Sequence, residues 1–233
     1  MKNHQTFSLF ALSVLGGLSL ADAANADILY SQIPTDQITA LSSATTPGQP
    51  VTRTADDFTI SGPAGGTYRL TRFVGQMMTS IGGDPTRYRV EIYNDAGGTP
   101  GVLMWSRTGA SYMNDAGWTP GFNMRIQELI YNDNSVMVNA NQRYWISFVG
   151  LEGVAGFASH AWGGTQNGLT GRYRTGDSPW VDVQNVVGEY RDFAFRIEGT
   201  AVATPTPGAA ALLGLGAAVV GRRRRAGAAS PPI

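Results

Sequence analysis

The chain has 233 residues, with 17 Lys and Arg against 17 Asp and Glu, and it contains no cysteine. Zero net charge removes the simplest electrostatic argument for nucleic-acid binding, and we expect no nucleic-acid partner. The lack of cysteine excludes disulfides, thiolate zinc sites and a cysteine nucleophile. Glycine is abundant, with 30 residues, and charged residues make up only 15% of the chain, which favours turns and strands over salt-bridged helices.

Residues 1–26 have the composition of a secretory signal peptide. Lys2 lies in a short polar head, and an apolar run follows from 7 to 21. Ala24 and Ala26 form the small-residue pattern that signal peptidase cleaves, so we expect the mature chain to start at Asp27, with cleavage after Ala23 as the close alternative. An uncleaved anchor is the competing interpretation, although the apolar run is shorter than the roughly 20 residues that a membrane helix needs.

Residues 204–233 carry a second membrane signal in a different order. Prolines at 205 and 207 end the strand-rich region and begin an extended spacer. The twelve residues 209–220 are all Ala, Leu, Val or Gly, and they predict a short membrane helix of about 207–221 that rises only about 18 Å and anchors the chain transiently. Arginines hold the far end of this helix on the cytoplasmic side. They are Arg222, Arg223, Arg224 and Arg225.

This tail, from Thr204 to Arg225, resembles the PEP-CTERM sorting signal, in which a Pro-Glu-Pro motif, an apolar helix and a basic end mark a secreted bacterial protein for an exosortase. Here the motif reads Pro205-Thr206-Pro207 and is followed by Gly208, so threonine replaces the glutamate of the family pattern. The resemblance implies that an exosortase, an integral-membrane cysteine transpeptidase, cuts near Pro207 and passes the protein to the cell surface or an extracellular polymer. A plain single-pass anchor and a disordered Ala/Gly tail are the alternatives.

The region 27–203 alternates apolar and polar residues with a period of two, which is typical of strands with one buried face. In 87–93 the even positions are apolar, and in 144–148 Tyr144, Ile146 and Phe148 are expected to point inward, with Trp145 in the opposite phase. About nine short strands separated by turns predict an all-β domain, an antiparallel β-sandwich or jelly roll. The predicted strands are 57–60, 68–74, 87–93, 102–107, 122–126, 135–138, 144–148, 156–160 and 191–198.

Turn residues separate the predicted strands. Three of these turns are rich in Asn and Asp, at 94–98, 114–117 and 132–134. The order of features from Thr54 to Thr200 resembles the choice-of-anchor type of bacterial surface domain, which implies an all-β extracellular domain and assigns no active site. The residues that carry this resemblance are Ala55-Asp56-Asp57-Phe58-Thr59, Val90-Glu91-Ile92-Tyr93, Gly98-Thr99-Pro100-Gly101, Arg143-Tyr144-Trp145-Ile146, Trp162-Gly163 and Asp192 to Gly199.

The sequence offers little support for catalysis. His160 is the only histidine of the predicted mature domain, no Gly-x-Ser-x-Gly elbow accompanies it, and we expect a buried or hydrogen-bonded side chain beside Trp162. A glycosidase needs two facing carboxylates, but Glu91 and Glu198 fall at outward positions of alternating strands, where solvated carboxylates are expected. We therefore predict no catalytic residue. The glutamates of the domain are Glu91, Glu128, Glu152, Glu189 and Glu198.

Two binding chemistries remain as candidates. Asp95, Asp115 and Asp133 supply oxygen ligands of the kind that Ca²⁺ accepts, although Asx residues also build turns through their own backbone bonds. Among the five tryptophans, Trp118 and Trp180 lie next to proline-bearing loops and are the candidate exposed pair for stacking on a glycan, while most tryptophans of a sandwich lie in its core. The expected function is an exported structural or adhesive protein of the cell envelope or extracellular matrix, with a glycan-binding module second and a secreted hydrolase third.

Overall fold

The computed structural model describes residues 26–33, 37–45, 48–80, 87–109, 112–119, 124–151, 155–160 and 168–202. Most of the predicted signal peptide, with Ala24, and the whole predicted tail, with Pro205, Gly208 and the four arginines, lie outside these residues. The described chain forms β-strands and one five-residue helix, α1 (Val183–Val187). The strands are β1 (Asp27–Ser31), β2 (Gln37–Ser42), β3 (Ala44–Thr45), β4 (Thr52–Thr59), β5 (Thr67–Ser80), β6 (Arg87–Asp95), β7 (Pro100–Gly109), β8 (Tyr112–Thr119), β9 (Met124–Asn139), β10 (Arg143–Leu151), β11 (Ala155–His160), β12 (Arg172–Thr175), β13 (Val181–Asp182) and β14 (Phe195–Val202).

The first sheet is organised around the long strand β5. One edge of β5 pairs along its whole length with β9, which in turn pairs with β8. The other edge is divided, because β14 pairs with residues 67–75 and β11 pairs with residues 77–79. Strand β1 lies beyond β14, and β2 lies beyond β11. All of these pairings are antiparallel.

The second sheet has the order β13-β12-β4-β10-β6-β7. These pairings are antiparallel, and the short strand β3 adds a parallel pairing to the end of β10. The described part therefore confirms the prediction of an all-β, mostly antiparallel domain. In that part of the chain no helix is long and apolar enough to cross a membrane.

The two sheets share one hydrophobic core, which gives the domain a sandwich-like arrangement. Phe73 and Phe195 enter the core from the first sheet, and Phe58 and Ile146 enter it from the second. The predicted alternation is confirmed in two strands, because their apolar phase is buried in this core. The core residues of this phase are Tyr88, Val90 and Ile92 on β6 and Tyr144, Ile146 and Phe148 on β10.

Two predicted turns are wrong, because the structure places them inside strands. Residues 114–117 belong to β8, where the register with β9 shifts between Asp115 and Gly117. Residues 132–134 belong to β9, where Leu70 pairs with Val136 but Arg72 pairs with Asn132. The Asp133 carboxylate accepts the backbone N–H of Ser135 at 2.6 Å, so this segment closes locally as a bulge while the ladder continues on both sides.

The number of strands in the structure also differs from the prediction, because some predicted strands merge and some short strands are missed. The predicted strands 122–126 and 135–138 fall on the single strand β9, with residues 122 and 123 outside the described part. Short strands such as β3 and β13 have two residues each, too few for a period of two to be visible. The pairing partner of β3 comes from a distant part of the chain, so local pattern alone does not predict it.

Candidate functional site

The outer face of the second sheet carries a cluster of arginines and aromatic rings, which we call the arginine–aromatic face. It is built from β4, β6, β10 and β12. Its centre is covered by residues of the segment 168–182 that flank β12, namely Leu169 and Trp180. The alternation of each strand sends one set of side chains into the core and the other set to this face. Its members are Arg53, Asp57, Arg89, Glu91, Tyr93, Arg143, Trp145, Leu169, Arg172, Arg174 and Trp180.

Trp145 lies at the centre of this face, and it is fully buried. Its phase on β10 is opposite to that of the core residues, as the sequence pattern required, yet it packs with Tyr93, Leu169 and Trp180 in a second apolar cluster. The indole Nε1 donates a hydrogen bond to Asp95 Oδ1 at 2.8 Å. The Arg172 guanidinium lies 5.6 Å from the centre of the indole ring. A residue that points away from the main core is therefore covered by side chains that flank β12.

Trp180 is half-buried, and one of its ring faces is occupied. The Arg174 guanidinium lies 4.4 Å from the centre of the Trp180 ring, a cation–π distance. Tyr93 meets Trp180 edge to face, with 5.7 Å between ring centres and 82° between ring planes. The expected exposed partner, Trp118, lies on β8 of the first sheet, and its side chain is outside the described part. Trp180 thus packs with an arginine and a tyrosine on the second sheet, whereas Trp118 belongs to the first sheet.

Glu91 corrects the expectation of a solvated carboxylate. It points to the outer face, as predicted, but only 2% of its surface is exposed. Arg53 Nε approaches Glu91 Oε2 at 3.2 Å, Arg89 Nε approaches Oε1 at 2.7 Å, and the Tyr93 hydroxyl donates to Oε2. Burial and the Glu91 charge raise the pKa of Tyr93, which keeps its hydroxyl protonated as a donor. One carboxylate therefore pairs with two arginines and accepts a hydrogen bond from a tyrosine.

Arg174 has no such partner. Among the described residues, no carboxylate lies within ion-pair distance of its guanidinium, and its nearest polar contact is the Tyr93 hydroxyl oxygen at 3.4 Å. The neighbouring arginines differ, because Arg143 pairs with Asp57 at 3.1 Å and Arg172 pairs with Asp182. Arg174 is half-buried, so its charge is balanced mainly by the faces of Trp180 and Tyr93.

Two buried aspartates lie on opposite faces of β4. Asp56 points inward and accepts hydrogen bonds from the Phe193 backbone N–H and from Gln32 Nε2, each at 2.6 Å. Burial, followed by repulsion from Asp192, raises the pKa of Asp56 well above its usual range. Asp57 points outward and accepts the Leu169 N–H at 2.8 Å. Burial raises the pKa of Asp57 to about 6, although that hydrogen bond and Arg143 act in the opposite direction.

These aspartates attach distant segments to the second sheet. Asp56 connects β4 to the residues just after β1 and just before β14, and Asp57 holds the start of the segment 168–182. Gln32 also donates to the Phe193 carbonyl oxygen at 2.6 Å, which closes the inner network. The Asp56-Asp57 pair is thus a structural joint between the covering segment and the two sheets.

The aspartates proposed as calcium ligands have protein partners where their side chains are described. Asp95 Oδ1 accepts the Gly98 N–H at 3.1 Å as well as the Trp145 indole N–H. Asp133 accepts the Ser135 N–H and lies 3.7 Å from Arg107 Nε. Asp115 lies on β8, with its side chain outside the described part. In the described ranges no group of three or more His, Cys, Asp or Glu side chains is placed to hold a metal ion, and calcium binding stays a prediction.

The other candidate residues lie apart from this face. His160 ends β11 of the first sheet, and its side chain and Trp162 are outside the described part. Glu198 on β14 lies 3.4 Å from an Arg72 nitrogen and 3.1 Å from Arg196 Nε, and Glu189 lies 3.2 Å from an Arg191 nitrogen. The glutamates whose side chains are described, Glu91, Glu189 and Glu198, are thus each in ion pairs with arginine.

A repeated tripeptide is the sequence signal that marks the arginine–aromatic face. The pattern Arg-Tyr-Arg occurs at 87–89 and again at 172–174. In both copies the tyrosine packs on or in the main core, so the flanking arginines are sent to the outer face. Taken as isolated charges, these arginines predict only solvated strand positions, and the pairing of β12 with β4 is what brings the two copies onto one sheet.

Comparison with known proteins returns no match. No family model matches the chain, and no curated protein or solved structure is significantly similar to it. The class that can be assigned is therefore that of the fold, an all-β domain of two mostly antiparallel sheets.

Proposed function

We propose that this protein is an exported bacterial surface protein, with a β-sandwich domain of the jelly-roll type that has a structural or adhesive role in the cell envelope or extracellular matrix. Signal peptidase removes residues 1–26. The PEP-CTERM-like tail then holds the chain in the membrane until an exosortase-type transpeptidase cuts near Pro207.

The observation that best supports this proposal is the position of the first and last strands of the domain. Strand β1 begins at Asp27, directly after the proposed signal cleavage site, and β14 ends at Val202, two residues before the proposed tail. Both strands pair within the first sheet, so the folded domain extends to the boundaries of the two proposed segments. This arrangement supports the proposal that both terminal segments are targeting signals that are removed from the mature protein.

The arrangement of carboxylates supports a structural or adhesive role over hydrolysis. Glu91 is held by two arginines, and Glu189 and Glu198 are each held in ion pairs. A glycosidase instead needs an acid and a base or nucleophile that face a common cleft. Glu91 and Glu198 instead connect strands, because each pairs with an arginine of another strand.

The sorting step is tested with variants of the tail in the bacterium that produces the protein. Changing both Pro205 and Pro207 to Ala removes the extended spacer while leaving the apolar run and the arginines, so we expect the protein to accumulate in the membrane fraction. The matched control is Pro179→Ala, which changes an exposed proline of the folded domain. Equal release of the double variant and the parent protein would contradict recognition of this motif.

A further inference from the structure

A row of arginines crosses the arginine–aromatic face. Arg174 on β12 lies directly opposite Arg53 on β4 in the antiparallel register. Arg89 on β6 projects from the same face, since Glu91 contacts both Arg53 and Arg89. Like charges placed opposite each other on neighbouring strands destabilise a sheet. The row therefore favours the presence of additional negative charge.

The protein supplies only part of that charge. Glu91 is the one carboxylate of the described chain that pairs with members of the row, and it is shared by Arg53 and Arg89. Arg174 has no carboxylate partner in the described part. This local positive excess occurs in a domain, 27–203, that carries 12 Arg and 16 Asp and Glu. The basic row thus gives one sheet face of an otherwise acidic domain a local charge that is complementary to an anionic partner.

The neighbouring ring narrows the chemistry of that partner. Trp180 is half-buried, and the Arg174 guanidinium lies over one face of its ring, so a planar cation and the exposed part of an indole belong to one patch. A guanidinium binds a carboxylate through paired N–H donors, and an indole packs against the apolar face of a sugar ring. A sugar that carries a carboxylate satisfies both groups at once, whereas a simple anion uses only the arginine.

We propose that Arg53, Arg89, Arg174 and Trp180 form a binding site for a carboxylate-bearing polysaccharide of the uronate class. An extended polymer suits a sheet face, because successive residues of the polymer can meet successive strands. This site gives a molecular basis to the adhesive role proposed above. It rests on the proposed function only in that an exported protein would encounter such a polymer outside the cell. Binding itself is a property of the folded domain.

The proposal is tested by isothermal titration of the purified full-length protein with polygalacturonate. Arg174→Gln is the decisive variant, because it removes a charge without leaving a partner carboxylate unpaired. We expect it to weaken binding about tenfold, the value of one charged hydrogen-bonding contact. Arg174→Lys keeps the charge but not the planar fork, and we expect a smaller loss. Binding by the parent protein should also weaken from about 50 to about 500 mM NaCl.

The matched control is Arg107→Gln. Arg107 lies on β7 opposite the core residue Val90 and approaches Asp133 of the first sheet, so it points to the other face of the sheet from the row. Its loss should therefore change the affinity by less than about twofold. Near-ultraviolet circular dichroism verifies that each variant is folded. Dextran is the neutral polymer control and polyglutamate the acidic control without sugar rings.

Three results would overturn the proposal. They are no binding of polygalacturonate by the parent protein, equal losses in the Arg174 and Arg107 variants, and equally tight binding of dextran or polyglutamate. Equal binding of polyglutamate would assign the row to acidic polypeptides instead. Because titration uses purified protein, its outcome is independent of the sorting experiment. A failure of export and a failure of binding are thus distinguishable.

Discussion

Glu91 illustrates how the environment of a single residue differs from what its position in a strand suggests. The alternation on β6 places it outward, where a carboxylate is ordinarily solvated, but the side chains of Arg53, Arg89 and Tyr93 contact it and it is buried. A carboxylate that is removed from water in this way stabilises the fold only through its paired donors. Its replacement therefore tests the electrostatics of the whole arginine–aromatic face.

We expect Glu91→Gln to lower the free energy of unfolding by about 2 kcal/mol, because the two arginines lose their shared negative charge while remaining largely buried. Denaturant unfolding followed by tryptophan fluorescence measures this change. Glu189→Gln is the matched control, since Glu189 is in a single, more exposed ion pair with Arg191, and its loss should cost less than about 1 kcal/mol. Equal effects of the two substitutions would contradict a special role for Glu91.

Asp57 predicts a dependence of stability on pH. Its pKa in the folded protein is raised from 3.8 to about 6, so the folded state binds more protons than the unfolded state between these values. Acidification from about pH 7 to about pH 5 should therefore increase the free energy of unfolding, with this group contributing on the order of 1–3 kcal/mol. Asp56, whose pKa is also raised, acts in the same direction.

The control for this prediction is Asp57→Asn, which removes the titrating group and keeps a hydrogen-bond acceptor for the Leu169 N–H. Chemical unfolding at a series of pH values should show a weaker gain on acidification in this variant than in the parent protein. Identical pH profiles for the two proteins would mean that the Asp57 carboxyl titrates at its usual pKa.

At the scale of elements, strand β5 determines how closely the two sheets approach. It pairs on both edges, and Gly75 lies where Phe148 of β10 packs across the core. A Cβ atom at Gly75 would lie 2.7 Å from the Phe148 ring, which is closer than atoms pack. The absence of a side chain at this position allows a large ring to occupy the space between the sheets.

We expect Gly75→Ala to destabilise the protein by about 1–3 kcal/mol through overpacking. Phe148→Leu removes ring atoms from the same space, so the double variant should be less destabilised than the sum of the two single variants. Thermal or denaturant unfolding of the four proteins measures this coupling. Strict additivity would show that the alanine methyl group does not meet the Phe148 ring.

The sequence predicted the elements of strong alternation well and the covering elements poorly. Strands β6 and β10 have apolar residues at every second position, and their buried faces are confirmed. Strands β12 and β13 contain only four and two residues. The place of β12 is fixed by pairing with β4 far along the chain, and β13 pairs with β12. The arginine–aromatic face depends on that pairing, which explains why isolated arginines and Trp145 were visible in the sequence while their assembly was not.

Bulges also explain the wrong turns. Asn and Asp favour turns because their side chains bond to the nearby backbone, and Asp133 makes such a bond to Ser135. The neighbouring strand β5 is long enough to continue pairing past this point, so the local turn chemistry produces a bulge within β9. Composition predicted the interruption of the ladder, and only the tertiary pairing decided that the strand would resume.

At the scale of the whole molecule, charge is divided between the folded domain and the tail. Residues 27–203 carry 12 Arg and 16 Asp and Glu, whereas the tail carries four Arg and no acidic residue. The net charge of the full chain is therefore zero because the negative charge of the domain and the positive charge of the tail cancel. If the tail is removed as proposed, the released protein is acidic, with its arginine row as a local exception.

The mature ends of the protein test this proposal most directly. Intact-mass and terminal-peptide mass spectrometry of the form released from cells should find a chain that begins at Asp27 and ends near Pro207. Such a chain lacks the signal peptide, the apolar run and the four arginines. A released form that still ends at Ile233 would contradict the proposed sorting and cleavage.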